Sequence, residues 1–417
     1  MSTPVTVVGI GADGWAGLGP AARAVVESAD VLVGGSRHLD LVPGVVAAER
    51  RPWPKPLVEG LPSLLERYGG RRLVVLASGD PYLSGVATNL LALLGPERLA
   101  VLPHVSSATL ARARMGWPEE TADVLTVVGR DHDVVRRYLT PGRRLVVLSS
   151  DGSTPRTVAS ALVHTGFGSS MITVLSNLGS PTEQRVSATA SSWGVRDAPP
   201  LNVVCVEVVG GPHALVRSAL AGLPDDAFEH DGQLTKRDVR ASVLSRLAPV
   251  PGELLWDVGA GAGSVGIEWM RAHPRCRALA VESHPERAAR IASNARRLGV
   301  PGLEVVEGRA PDALADLPGP DAVFVGGGAS RPGVLDACWD ALPAGGRLVV
   351  TAVTLETEAV LVDWRGRVGG GLVRLAVETA EPVGTFTGWS PARPVVLWSA
   401  TKPSTLVEPV ETTQEPR

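Results

Sequence analysis

Cysteine is scarce in this chain of 417 residues: Cys205, Cys276 and Cys338 lie far apart, with no CxxC pair and no His at ligand spacing. That excludes a disulfide framework and a structural zinc, so no metal site is expected. Lysine occurs only at Lys55, Lys236 and Lys402, which leaves arginine to carry almost all the positive charge. Codon bias is the plainer account; a substrate rich in carboxylates would also suit forked guanidinium donors. A net charge of −3 argues against a chain whose main affinity is for nucleic acid. No apolar run approaches the roughly 18 residues needed to span a bilayer. Met1-Ser2-Thr3-Pro4 lacks the basic start of a secretion signal, so the expectation is a cytoplasmic protein without a membrane partner.

What is present is the material of globular domains: 44% hydrophobic and 20% charged residues, with 47 Gly and 34 Pro placed between regular apolar runs. The length suggests two or three domains. Alternating β and α signals fill the first half, with strands expected at 5–10, 31–33, 73–77, 99–102, 124–128, 145–148, 172–175 and 203–208 and helices at 21–28, 88–94, 109–115 and 157–165. Gly210-Gly211-Pro212, a short apolar helix and the polar run Asp225 to Gly232 read as a junction, giving a linker at 212–232. A second βα series follows: helices at 237–247, 265–272, 286–298 and 334–342 alternate with strands at 254–258, 278–281, 303–306, 322–325 and 347–352. Leu372 to Val377 and Val395 to Trp398 suit an antiparallel hairpin at the edge of a parallel sheet. The domains expected are thus 1–211 and 233–400, both α/β, with a disordered tail at 401–417 rich in Thr, Glu and Pro.

Two glycine loops fit GxGxxG. Gly9-Ile10-Gly11-Ala12-Asp13-Gly14 follows the first strand, but a dinucleotide site also needs an acid at the end of the second strand. Asp30 precedes that strand, which ends in Gly34-Gly35, so the nicotinamide reading fails there. A tight turn remains, structural or facing another ligand. In the second loop, Asp257-Val258-Gly259-Ala260-Gly261-Ala262-Gly263 closes a strand, and Glu282 ends the next strand where it can accept from both ribose hydroxyls. Three features favour S-adenosylmethionine (SAM) over NAD. Asp257 sits where a sulfonium and an ammonium would welcome a carboxylate. Val305 to Asp312 ends the third strand with small and polar residues, suited to an adenine edge. Leu342-Pro343-Ala344-Gly345-Gly346-Arg347-Leu348-Val349 resembles a helix-to-strand element of class I SAM methyltransferases. Gly326-Gly327-Gly328-Ala329 stands where nucleic-acid and protein amide methyltransferases carry an Asn/Asp-Pro-Pro clamp; it is either a flexible loop or an open floor for a bulky ligand.

These residues carry a family resemblance. Leu234-Thr235-Lys236-Arg237-Asp238-Val239-Arg240, the run Leu255 to Val265 and the triple glycine resemble the decarboxylating cobalt-precorrin methyltransferases. Val8 to Trp15, Ser78-Gly79-Asp80-Pro81, Pro103 to Ser107, Gly129-Arg130-Asp131 and Ser176 to Pro181 resemble the tetrapyrrole methylase family. Joined in this order, the halves resemble the decarboxylating precorrin C5,15-methyltransferases of corrin biosynthesis. The resemblance implies a pair of α/β subdomains holding SAM in a cleft, followed by a Rossmann-like class I SAM methyltransferase domain. It further implies two SAM sites, a precorrin tetrapyrrole substrate and a homo-oligomer, dimer or tetramer.

By motif, the implied cofactor contacts are Ala12, Asp80, Leu83, Ser107, Ala108 and Leu178 in the first domain. In the second they are Thr235, Gly259, Ala260, Gly261, Ala262, Gly263, Glu282 and Ala310. Thr235 has a second expected role, a capping box with Asp238. C5 methylation is implied for the amino domain, and C15 methylation with loss of an acetate carboxyl for the carboxyl domain. Arg309, Arg331, Arg393 and Lys236 are candidates for gripping the other carboxylates. No catalytic acid or base is named. Alternatives are SAM chemistry on another tetrapyrrole or small molecule, a nicotinamide oxidoreductase and a non-catalytic SAM sensor.

Overall fold

The computed structural model describes residues 4–403, and the chain divides into two compact units, Met1–Val216 and Arg217–Arg417. In the first unit β1 (Val5–Ile10), β2 (Val31–Gly34), β3 (Glu49–Pro52), β4 (Leu73–Ser78) and β5 (Leu99–Leu102) form an all-parallel sheet ordered β3-β2-β4-β1-β5. Val7, Val8 and Ile10 of the interior strand β1 are fully buried, as a parallel strand covered on both faces requires. A second sheet joins β6 (Asp123–Thr126), β7 (Arg144–Leu148), β8 (Met171–Ser176), β9 (Gln184–Thr189) and β10 (Asn202–Glu207) in the order β6-β7-β10-β8-β9. Only β6 and β7 run parallel in it.

The second unit is a seven-stranded sheet, β13-β12-β11-β14-β15-β19-β16. Its members are β11 (Leu254–Val258), β12 (Arg277–Glu282), β13 (Glu304–Glu307), β14 (Ala322–Val325), β15 (Arg347–Ala352), β16 (Gly371–Leu375) and β19 (Val395–Thr401). Successive residues of β11 feed opposite cores: Leu255 packs with Val243, Trp269 and Ile291, whereas Leu254, Trp256 and Val258 pack with Val334, Leu342 and Trp364. The chain runs outward from β11 through β12 to β13, then returns to the other side through β14. A crevice at the carboxyl ends of β11 and β14 is therefore the place where such sheets bind ligands.

The expected terminal hairpin is antiparallel, but β19 lies between β15 and β16 and pairs with both. A separate hairpin of β17 (Glu378–Val383) and β18 (Phe386–Pro391) fills the connection between them. The first residues of the expected tail are ordered: β19 reaches Thr401, and Lys402 Nζ donates to the carbonyls of Trp339, Asp340 and Leu342. The rest of the tail lies outside the described residues.

The expected linker also needs correction. No helix follows Gly210-Gly211-Pro212, and the polar run belongs to the second unit. Its organiser is Arg240, fully buried, whose Nε donates to Glu268 Oε1 at 2.6 Å and whose other nitrogens donate to Asp225 Oδ1 and to the carbonyls of Leu223 and Thr235. Glu268 in turn accepts from Gly222 N at 2.6 Å and Leu223 N at 3.0 Å. Asn294 binds both the N–H and the carbonyl of Glu229. Leu223, Ala227 and Phe228 are buried by this strapping. Of the charged residues in this run, Asp225 joins the buried Arg240 network, while Asp226, Glu229 and Asp231 stay exposed.

Candidate functional site

The crevice of the second unit is a cleft of about 690 Å³. Its floor is the turn after β11. Gly259 has φ of 69°, and a methyl group there would lie 2.8 Å from the Gly327 backbone, so the turns after β11 and β14 touch through bare main chain. The triple glycine therefore serves close packing as well as leaving the floor open. Beside it stands Glu282, 4% exposed, whose Oε2 accepts from Gly261 N at 2.9 Å and Oε1 from His284 N at 3.0 Å. Each carboxylate oxygen keeps a second lone-pair site for a ligand hydroxyl.

This loop does not suit a diphosphate. Gly259 N and Ala260 N donate to Val281 O, Gly261 N to Glu282 and Gly263 N to Ala260 O, so four of its N–H groups are already committed. A Rossmann phosphate site needs such groups free. A fixed carboxylate next to bare backbone fits an adenosyl ribose instead.

Thr235, Gly259, Ala260, Gly261, Glu282 and Ala310 come together on this cleft. Ala262 and Gly263 do not face it. Ala262 is 1% exposed, and its carbonyl accepts from Asn294 Nδ2 at 3.0 Å, while Gly263 backs onto Ile291. Thr235 makes no capping box: the helix Arg237–Leu247 starts after Lys236 without a side-chain cap. Asp257 also departs from expectation. It is 1% exposed and turned into the fold, where Oδ2 accepts from Gly266 N at 2.8 Å. Burial first, and then the charge of Glu282, push its carboxyl up to about 7. Its part is to hold the start of the helix Ser264–Ala272, not to face a sulfonium.

Lys236, Arg309, Arg331 and Arg393 all line the cleft, with Arg287. Lys236 faces Asp225 at 3.6 Å and Arg287 pairs with Asp231 at 2.8 Å. The guanidinium groups of Arg309, Arg331 and Arg393 have no hydrogen bond or ion pair among the described residues. Three unpaired forks around one mouth suit a ligand bearing several carboxylates.

A second cleft, of about 440 Å³, lies in the first unit between the carboxyl edge of the parallel sheet and the mixed sheet. Ala12, Asp80, Leu83, Ser107 and Leu178 line it together. Ala108 is 2% exposed and packs below it. Gly9 explains the close turn: a Cβ there would drive into the Gly79 carbonyl, and Gly79 N donates to Ile10 O at 3.2 Å. Asp80 Oδ1 accepts from Tyr82 N at 2.9 Å, and Ser106 caps the helix Ser107–Met115 by accepting from Thr109 N at 3.0 Å. Asp30, rejected as a ribose ligand, is tied to Arg72 at 2.9 Å.

Residue reading missed Arg37, His38 and Asn202, all on this cleft, and gave Ser78 no role of its own. The signal available was position: Arg37 and His38 follow the end of β2, on the ligand-binding edge of the sheet.

Among the described residues no cluster of His, Cys, Asp and Glu is arranged to hold a metal, and no helix is long and apolar enough to cross a membrane. Residues 4–193 match the family described as Tetrapyrrole (Corrin/Porphyrin) Methylases, and residues 226–402 match the Precorrin methyltransferase domain. A precorrin-6Y C(5,15)-methyltransferase [decarboxylating] of a Sinorhizobium species is 48% identical over 402 residues, covering 96% of this chain and 97% of its own. The enzyme of the same name from Mycobacterium tuberculosis is 44% identical over 95% of this chain and 100% of its own. The solved C-terminal domain of precorrin-6Y C5,15-methyltransferase from Rhodobacter capsulatus is 46% identical, covering 45% of this chain and 100% of that one, with a TM-score of 0.43. With likeness of this degree running through both units, the chain belongs to the precorrin-6Y C(5,15)-methyltransferase (decarboxylating) family.

Proposed function

We propose that the chain methylates precorrin-6Y at C5 and C15 and removes the carboxyl of its C12 acetate arm, giving precorrin-8 on the route to the corrin ring. The observation that carries this reading is the pairing, on one chain of that family, of two chemically different clefts, each at the carboxyl edge of its own parallel sheet. Each cleft takes one SAM. The cleft of the first unit serves C5, and that of the second serves C15 and the decarboxylation.

Bound SAM supplies an electrophilic methyl group on a sulfonium. The protein contributes alignment. Glu282 orients the ribose through its spare lone pairs, and the Gly259 turn brings bare backbone against the nucleoside. Arg309, Arg331 and Arg393 take the carboxylates of the macrocycle and set which carbon faces the methyl. In the first unit, Ile10, Leu76, Leu83, Leu148 and Leu175 form walls that exclude water. Such positioning is worth about 7 to 11 kcal/mol in well-oriented intramolecular reactions, so strong acid or base groups are not required. In the decarboxylation the bond to the carboxyl carbon breaks, CO₂ leaves, and the electron pair passes into a protonated ring imine before the arm is reprotonated.

The test is the mass of the product formed by the intact chain from precorrin-6Y and SAM. Two methyl groups gained and one CO₂ lost is the expected result. One methyl gained, or none, overturns the assignment.

A further inference from the structure

We propose that Arg37 is a carboxylate anchor in the cleft of the first unit, held in place by His38 and Ser78. This rests on reading that cleft as a methyl-transfer site. Arg37 lies on the short helix Ser36–Asp40 just after β2, and its NH2 group donates to His38 Nε2 at 2.6 Å and to Ser78 Oγ at 3.1 Å. His38 Nε2 and Ser78 Oγ are themselves 2.8 Å apart. No carboxylate approaches Arg37 among the described residues. The one acid lining the cleft among them, Asp80, spends Oδ1 on the Tyr82 N–H.

The guanidinium is thus a cation among neutral acceptors, with mainly aliphatic side chains opposite, and burial lowers its pKa. Arg37 is nonetheless exposed at the cleft, so an incoming anion can reach it and supply the charged partner that no described residue provides. Nε and NH1 make no hydrogen bond among the described residues, which leaves three N–H donors for the oxygens of an incoming carboxylate. His38 suits its role. Because Nε2 accepts from Arg37, the ring is neutral with its proton on Nδ1, and burial, then the neighbouring Arg37 charge, hold its pKa down to about 4. A cationic ring would repel the guanidinium. His38 is in this sense a positioning residue.

The reactants offer carboxylates from two sources, the acid arms of the macrocycle and the amino-acid end of the methyl donor. The full-length chain separates them. Arg37→Ala should raise KM for the macrocycle in C5 methylation by about tenfold to a hundredfold with kcat little changed, the size expected for one charge-assisted contact. C15 methylation and CO₂ release serve as internal references and should not move. Calorimetric affinity for S-adenosylhomocysteine stays constant if the macrocycle supplies the carboxylate, and falls by the same factor if the donor does. Arg37→Lys should recover part of the loss. His38→Gln, which still offers Arg37 an acceptor, should rescue what His38→Phe loses.

The proposal is overturned if Arg37→Ala melts with the parent yet leaves both affinities within twofold. Equal behaviour of His38→Phe and the parent removes the positioning role. Absence of C5 methylation in the parent would sink the functional reading alone, since macrocycle binding followed by absorbance still reads Arg37.

Discussion

The two clefts sit at equivalent places on parallel sheets, and a GxGxxG match opens each of them, but they solve binding differently. In the second unit an acid, Glu282, fixes the glycine turn and faces the cleft, and unpaired arginines ring the mouth. In the first unit no acid closes β2, the walls are mainly aliphatic, and the charged groups on the lining among the described residues are Asp80 and the Arg37 of the Arg37–His38–Ser78 corner. The glycine pattern alone therefore reports close approach of backbones, whether the neighbour is Gly327 or Gly79. What distinguishes the second cleft is the carboxylate one strand away.

That comparison can be broken at several points. The largest effect is expected from Arg240→Ala, which leaves Glu268 buried without its partner and should cost the second unit about 3 to 5 kcal/mol. Scanning calorimetry should show its transition fall while C5 methylation at low temperature persists; loss of both activities together would mean that the units are not independent in this respect. Next, Glu282→Gln should weaken donor binding at the second cleft by roughly tenfold to a hundredfold, because a neutral acceptor replaces a charged one. C15 methylation and CO₂ release should drop, with C5 methylation intact. Gly9→Ala and Gly259→Ala should then act as a reciprocal pair, each introducing about 1 to 3 kcal/mol of strain and each silencing only its own methylation. Product analysis showing both methylations impaired by either change would contradict two separate sites.

Opposite pH slopes give a further contrast between the units. Asp257 is raised from 3.8 to about 7, so the folded second unit keeps a proton that the unfolded chain has released; its stability falls as pH rises through that window. His38 is lowered from 6.5 to about 4, so the unfolded chain binds the extra proton, and the first unit loses stability as pH falls from about 6.5 to about 4. Denaturant titrations at pH 4 to 7 should see Asp257→Asn flatten the first slope and His38→Gln the second.

Much of the fold was readable because buried parallel strands are continuous apolar runs. β1, β4, β11 and β15 all announce themselves in this way. Edge strands do not. β3 is Glu-Arg-Arg-Pro, and Glu49 is held by Arg51 and Arg71. β9 is largely exposed and polar, so its alternation is lost. The cleft-lining Gly259 and Gly261 and the acid Glu282 were legible because spacing fixes their place on a strand end. The inward turn of Asp257 and the burial of Ala262 were not, since they depend on where Gly266 and Asn294 arrive from distant sequence. Arg240 reads as one more surface cation until its four acceptors, brought in from three separate segments, are in view.

The strapping around Arg240 also sets where this polypeptide can be cut. A truncation starting at Gln233, where the composition changes, would discard the Leu223 carbonyl and the Asp225 carboxylate and strand a guanidinium in the interior. Starting at Arg217 keeps both, along with the carbonyls of Arg217 and Ser218 that receive Arg271. The seam between the two halves thus lies near the start of the stretch that looks like a tether, and most of that stretch belongs to the second half.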